Sequence, residues 1–253
     1  MKFQTQPHLI IITVLQPDSQ TRLFLIPTPI FRQKENETLP RYTVEKIREI
    51  RCFIVEKSQT ALSFLQWIGH PVPIHEMTFR VLNKKTPDHE VYSYLKLLKE
   101  QDTGILSEAG APGVADPGAR LVSLAHENNI EVVPLTGPSS ILLALMGAGL
   151  NGQSFAFHGY LPINKSQRQS TIQTLQAESA RKKQTQIVME TPHRNADLFR
   201  DLLSQLHPAA KLCVASNLTS PEEYLKTKSV DQWKTSEEPD FNRKPTLFLF
   251  LSS

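Results

Sequence analysis

The sequence predicts an α/β fold in two domains, and three observations carry the prediction. Short apolar runs alternate with longer amphipathic stretches, the pattern produced when helices cross over a sheet of parallel strands. The alternation pauses at turn signals, Gly149 and Asn151-Gly152, and then restarts. The length, 253 residues, is enough for two modest hydrophobic cores. The expected layout is an N-terminal extension over residues 1–21, a first α/β domain over 22–149 and a second over 150–253.

The extension holds an apolar run, Leu9 to Leu15, broken by Thr13 and closed by Gln16-Pro17-Asp18. It has no small-residue cleavage site, and it falls short of the ~20 apolar residues that span a bilayer. It is expected to be an extension or extra strand of a cytoplasmic protein that does not enter a membrane. "TRLFLIPTP" then reads as a strand ending at Pro27, and "EIRCFIVEK" as a second strand after a short helix near Val44 to Arg48. "TALSFLQWIG" is helical. So is His89 to Gln101, where Val91, Tyr94, Leu95 and Leu98 recur at three and four residues and Pro87-Asp88 marks the start. "TGILSEAG" and "IEVVPLTG" are buried-looking strands on either side of a helix over Ala119 to Asn129. A helix over Ser139 to Gly147 completes the first domain. In the second domain, "FAFHGYLP", "TQIVMETP", "KLCVASNL" and "PTLFLFLSS" are strands, and Lys165 to Lys183 and His193 to Leu206 are helices. The alternation in the first domain predicts a parallel sheet.

Hydrophobic residues make up 40% of the chain and charged residues 21%, the balance of a globular protein. The formal net charge of +3 permits an anionic partner without requiring one. Cys52 and Cys213 sit inside apolar runs, so they read as buried small hydrophobes in a reducing compartment, not as a disulfide framework. The histidines are scattered with no H-E-x-x-H spacing, and no metal site is expected.

Ligands in open α/β sheets bind beyond the carboxyl ends of strands. Four such ends carry unusual residues: Ile26 to Phe31 ("IPTPIF"), Leu106 to Leu121 ("LSEAGAPGVADPGARL"), Pro134 to Ser140 ("PLTGPSS") and Met189 to Arg194 ("METPHR"). Ala109, Gly110, Ala111 and Gly113 would let a ligand approach the backbone without side-chain obstruction. Gly137 permits a tight turn, and the free N–H groups of Ser139 and Ser140 would face an anion or a carbonyl oxygen. No G-x-G-x-x-G opens a helix, no G-x-x-x-x-G-K-[ST] phosphate loop is present, and no G-x-S-x-G elbow appears. Glu56, Glu108, Glu190 and His193 are candidate bases by their strand-end positions, while Asp116 suits a turn or a helix cap.

"LSEAGAPGVADPGARLV", "VVPLTGPSS", "FAFHGYLP" and "METPHR" occur in an order that resembles the tetrapyrrole-methylase-fold methyltransferases, in particular the branch acting on small-subunit ribosomal RNA. The likeness runs from about Arg22 to Leu251. It implies a homodimer holding S-adenosylmethionine in a cleft between two domains, with the methyl group passing to the 2′-oxygen of a cytidine ribose in that RNA. Carried over by motif, the cofactor would meet Pro29, Ala109, Gly110, Ala111, Val114, Pro138, Ser139 and Ser140 from the first domain. Glu190, Asn217, Leu218, Pro245 and Thr246 would meet it from the second. Glu108 and Glu190 are the candidate catalytic carboxylates, with the base left open between them. Lys165, Arg168 and Arg194 would contact RNA phosphates, and Tyr160 or Phe157 a base.

The chain departs from that branch at three loops. Thr28-Pro29-Ile30-Phe31-Arg32-Gln33 stands for T-P-I-G-N-L, Glu56-Lys57-Ser58-Gln59 for E-D-T-R, and Asn242-Arg243-Lys244-Pro245 for a segment containing K-G-E. These changes spare the cofactor motifs and alter loops that would meet a substrate. Methylation of a tetrapyrrole precursor or another small molecule, and cofactor binding without catalysis, are the alternative readings.

Overall fold

The computed structural model describes residues 21–241 and 243–252, so the expected extension, apart from Thr21, lies outside the described residues. Two five-stranded sheets organise the rest. The first contains β1 (Arg22–Ile26), β2 (Cys52–Val55), β3 (Thr78–Val81), β4 (Thr103–Leu106) and β5 (Glu131–Pro134), in the order β3-β2-β4-β1-β5. All its pairings are parallel, as the alternation predicts. Alternate residues of each strand enter opposite cores. Phe24 and Ile26 pack with Ile47 of α1 (Arg41–Glu49) and with Phe64 and Leu65 of α2 (Ser58–Trp67). Leu23, Ile54 and Ile105 face the other way, toward Tyr94 and Leu98 of α3 (Asp88–Glu100) and Leu121 and Leu124 of α4 (Gly118–Glu127). Asp88 and Glu90 in the first turn of α3 oppose its helix dipole favourably.

The second sheet contains β6 (Phe155–Tyr160), β7 (Thr185–Glu190), β8 (Lys211–Ser216), β9 (Tyr224–Ser229) and β10 (Thr246–Leu251), in the order β6-β7-β10-β8-β9. Here the strand directions are mixed. Only β6 and β7 are parallel; β10 runs antiparallel to β7 and β8, and β9 antiparallel to β8. The turn from β8 to β9 is too short for a crossover helix, which forces the reversal. On one face, α6 (Lys165–Lys182), α7 (Asn195–Gln205) and α8 (Val230–Lys234) cover a core built around Phe199, Trp233 and Phe248.

The other face is covered by α5 (Ser140–Ala148), whose Ala144, Leu145 and Ala148 pack with Ile187, Cys213, Ala215 and Leu249. Sequence reading assigns this helix to the first domain, up to residue 149. Its buried residues instead join the second core, so the cores divide before the helix, at the loop carrying Gly137 to Ser139. Cys52 and Cys213 are both fully buried, and burial pushes both thiols upward from their ordinary range.

Candidate active site

Because β1, β2 and β4 are parallel, their carboxyl ends converge on one edge of the first sheet. There the backbone closes a small two-way bridge: Thr28 N–H donates to the Gly110 carbonyl (2.9 Å), and Gly110 N–H donates to that of Thr28 (3.0 Å). Gly110 has φ +75°, a left-handed conformation that suits glycine. Beyond it, Asp116 Oδ1 accepts from the N–H groups of Gly113 and Gly118, both at 2.8 Å. The crowding of glycines beside an acid is thus a loop folded around one carboxylate.

Gly137 answers a different need from the tight turn expected of it. A Cβ there would lie 2.2 Å from Cγ of Pro27, so glycine is required by close approach of two strand ends. Ser139 follows at the N-cap of α5, and its side chain does not cap the helix, leaving first-turn N–H groups for a ligand.

The second sheet contributes an edge of its own. Antiparallel pairing aligns the start of β10 with the ends of its neighbours: Thr246 lies opposite both Glu190 and Ser216. Ser216 and Thr246 share a hydroxyl hydrogen bond of 2.8 Å. Asn217 turns away in a left-handed conformation (φ 53°), and its N–H donates to the Pro245 carbonyl at 2.8 Å. The Glu190 side chain is 1% exposed. Its Oε1 accepts from Thr191 N–H at 2.6 Å and from Arg194 Nη2 at 2.6 Å. Its Oε2 is buried and has no partner among the described residues, an arrangement that costs free energy.

The two edges face each other across a cleft with two lobes. One lobe, about 270 Å³, is lined by Glu190, Asn217, Leu218, Pro245 and Thr246, together with Ala109 and Ser140. The other, about 290 Å³, is lined by Glu108, Gly110, Ala111, Val114 and Ser139, together with Glu56, Lys84 and Asp116. Ala109, Ser140, Tyr160 and Met189 line both, so the lobes adjoin. Most of the residues expected at a cofactor are therefore gathered in one cleft. Pro29 and Pro138 line neither lobe; Pro138 instead backs Gly110, its carbonyl oxygen 3.8 Å from where a Cβ would stand.

Charge is unevenly shared. The second lobe holds three carboxylates. Glu108 is engaged by Lys57 Nζ at 2.6 Å and more loosely by the Thr60 hydroxyl at 3.4 Å. Burial, then the charges of Glu108 and Asp116, hold the Glu56 carboxyl above its ordinary range. Burial does the same to Asp116, against its two backbone hydrogen bonds. At the mouth, Lys84 Nζ sits 5.8 Å from the Tyr160 ring centroid, joining the loop after β3 to the end of β6.

The residues expected at RNA fare differently. Lys165 is exposed at the start of α6. Arg168 is corrected: its side chain is 8% exposed, its Nη2 pairs with Asp201 Oδ2 at 2.6 Å, and it ties α6 to α7 inside the second core. A cation placed at the start of a polar helix reads as surface, but here the helix turns that position inward. Arg194 spends its guanidinium on Glu190 and lines neither lobe. His193 lies outside both lobes, beside a separate surface depression with Pro239 and Phe241. Phe157 packs into the second core, whereas Tyr160 is 48% exposed.

Lys84, Ile30, Ile141, Met189 and Leu247 line the cleft without having been singled out. Lys84 follows β3, a strand absent from the sequence reading; with that strand recognised, its strand-end position would have pointed to it.

The chain matches the family of Tetrapyrrole (Corrin/Porphyrin) Methylases over residues 37–233. It is 31% identical over 201 residues to the Ribosomal RNA small subunit methyltransferase I of Synechocystis, covering 79% of this chain and 68% of that protein. It is 27% identical to the protein of the same name from Escherichia coli O157:H7, covering 90% of this chain and 76% of the relative. Among solved structures, a diphthine synthase matches with TM-score 0.65 at 14% identity, covering 92% of this chain and 90% of the other. The methyltransferase CobJ matches with TM-score 0.58 at 14% identity, covering 93% and 95%.

Proposed function

We propose, because this chain belongs to the tetrapyrrole (corrin/porphyrin) methylase family, that it transfers a methyl group from S-adenosylmethionine to the 2′-oxygen of a cytidine ribose in small-subunit ribosomal RNA. The single observation that carries the reading is the cleft of two adjoining lobes, one of them lined by Glu190, whose buried Oε2 has no partner among the described residues. The relatives named for that RNA supply the substrate class.

The first lobe fits the cofactor. Met189, Leu218 and Leu247 offer apolar wall, and Glu190 Oε2 lacks the donor that a hydroxyl, amine or amide N–H of the cofactor carries. Asn217, Thr246 and Ser140 add polar contacts, and Ala109 lets the ligand lie against backbone. The bound cofactor supplies an electrophilic methyl carbon attached to a positively charged sulfur. The protein's part is chiefly to hold acceptor and donor in line. Glu108 and Lys84 line the acceptor side, and Tyr160 stands where a nucleobase can stack. Lys165 approaches phosphate from α6.

The reading places the protein in the cytoplasm as a homodimer. Leu142 and Met146, one turn apart on α5 and 52% and 79% exposed, offer an apolar face for self-association. Among the described residues no helix is long and apolar enough to cross a membrane.

Small ribosomal subunits from a strain lacking this protein, incubated with labelled S-adenosylmethionine, test the assignment. Label on one ribose oxygen is the expected result. Label on a tetrapyrrole precursor in place of RNA, or none despite intact cofactor binding, overturns it.

A further inference from the structure

Four carboxylates line the cleft, and three are already committed. Glu190 holds Arg194 and Thr191 through Oε1. Glu108 is salt-bridged to Lys57. Asp116 accepts two backbone N–H groups and shapes its own loop. The fourth, Glu56, is half-buried at the carboxyl end of β2, lines the second lobe, and makes no side-chain hydrogen bond or ion pair among the described residues. We propose that Glu56 is the general base of the methyl transfer, taking the proton of the acceptor hydroxyl in the second lobe. This inference rests on the methyl-transfer reading above.

Three features of the site support the role. The first is position: β2 is flanked in the sheet by β3 and β4, so Glu56 projects from a rigid strand end between Lys84 and the Glu108 loop. The second is availability, since a carboxylate already accepting strong hydrogen bonds is a weaker base and is held in a fixed orientation by them. The third is tuning. The charged groups around it are Glu108 and Asp116 from the loop after β4, Lys57 at the N-cap of α2 and Lys84 after β3. Burial and the two acids favour the protonated form, and the two lysines oppose them without cancelling them. A carboxylate raised in this way is a better proton acceptor.

The step balances. The acceptor O–H proton passes to Glu56 as the oxygen's lone pair forms the new bond to the methyl carbon. The carbon–sulfur pair leaves on sulfur, converting the sulfonium to a neutral thioether. Glu56 then returns its proton to water.

The test uses the full chain with Glu56→Gln, which keeps shape and removes basicity, and Glu56→Asp, which keeps the carboxylate. Calorimetry with S-adenosylhomocysteine checks folding and the first lobe; affinity within threefold of wild type is expected for both. For Glu56→Gln, kcat on small subunits falls about 10²- to 10⁴-fold with little change in KM. Glu56→Asp recovers part of the loss. The wild-type rate climbs with pH through an acid limb that lies above the ordinary carboxylate range, and Glu56→Gln has no such limb. Independently of turnover, carbon-13 NMR of labelled glutamate side chains should show one carboxyl titrating above that range, absent from Glu56→Gln. Turnover of Glu56→Gln within threefold of wild type, or no such resonance in the wild type, overturns the base assignment and leaves the methyltransferase reading standing. A wild-type chain that methylates no RNA removes both.

Discussion

Gly137 and Pro27 are packed so closely that a single added carbon on the glycine would sit 2.2 Å from Cγ of the proline ring and 2.5 Å from its Cβ. Neither partner yields easily: the ring is rigid, and it lies at the end of a central strand. Gly137→Ala should therefore destabilise the fold by about 1–3 kcal/mol, the usual cost of overpacking. Because Ser139 and Ser140 follow at once, affinity for S-adenosylhomocysteine should fall with it. Urea unfolding and calorimetry on one preparation measure both.

Arg168 and Asp201 form the buried tie between α6 and α7, with side chains 8% and 6% exposed. Removing one partner strands the other charge, so Arg168→Met should cost roughly 3–5 kcal/mol, and the double replacement with Asp201→Leu should recover much of it. Once corrected for folded fraction, RNA affinity of Arg168→Met should keep the wild-type salt dependence. Lys165→Ala, in contrast, should lower the slope of log affinity against log salt by about 1. A changed slope in Arg168→Met would restore that residue to the RNA surface.

Glu190→Gln tests the cofactor lobe. The exchange removes a charge that Arg194 and the ligand share, and hydrogen bonds to charged groups contribute about 1.5–3 kcal/mol each. Affinity for S-adenosylhomocysteine should drop roughly 10- to 100-fold by calorimetry. Unchanged affinity would remove Glu190 from the binding site.

Asp116 predicts a pH dependence of stability. Burial raises its folded carboxyl above the unfolded value, so its favourable contribution is present in acid and lost as pH rises through the folded value. Asp116→Asn keeps an acceptor oxygen for the N–H groups of Gly113 and Gly118 and never ionises. The variant should match wild type in acid and exceed it at neutral pH. Urea midpoints across that range decide the matter; a variant weaker than wild type at neutral pH would reverse the sign.

In the first sheet β1, β2 and β4 were readable because they are largely buried and separated by helices with clear three- and four-residue periodicity, as in Val91, Tyr94 and Leu98. What escaped was polar or short. β3 is a four-residue edge strand, partly exposed and carrying Arg80. β9 carries Lys226 and Lys228, charges that suit an edge strand but read locally as loop. Strand direction in the second sheet depends on which strands meet, and "PTLFLFLSS" contains no signal that its neighbours would be β7 and β8. At the cleft, small residues after strands marked the approach of a ligand, and motif order brought in Glu190, Asn217 and Thr246. Which carboxylate is unengaged is settled by tertiary partners such as Lys57 for Glu108, and no spacing in the sequence encodes that. The inward turn of Arg168 is hidden for the same reason: Asp201 lies 33 positions away.

The position of β10 bears on how the protein is made. It is the last of the described strands to leave the ribosome, yet it lies between β7 and β8 at the centre of its sheet. Until it emerges, those two strands have unpaired backbone edges, and α5, translated about a hundred residues earlier, has no complete surface on which to bury Ala144, Leu145 and Ala148. The first lobe of the cleft, which needs Pro245 and Thr246, is assembled only then. A nascent or truncated chain lacking this strand can complete its first sheet, but it lacks the first lobe of the cleft and exposes adhesive apolar surface of the kind that chaperones recognise.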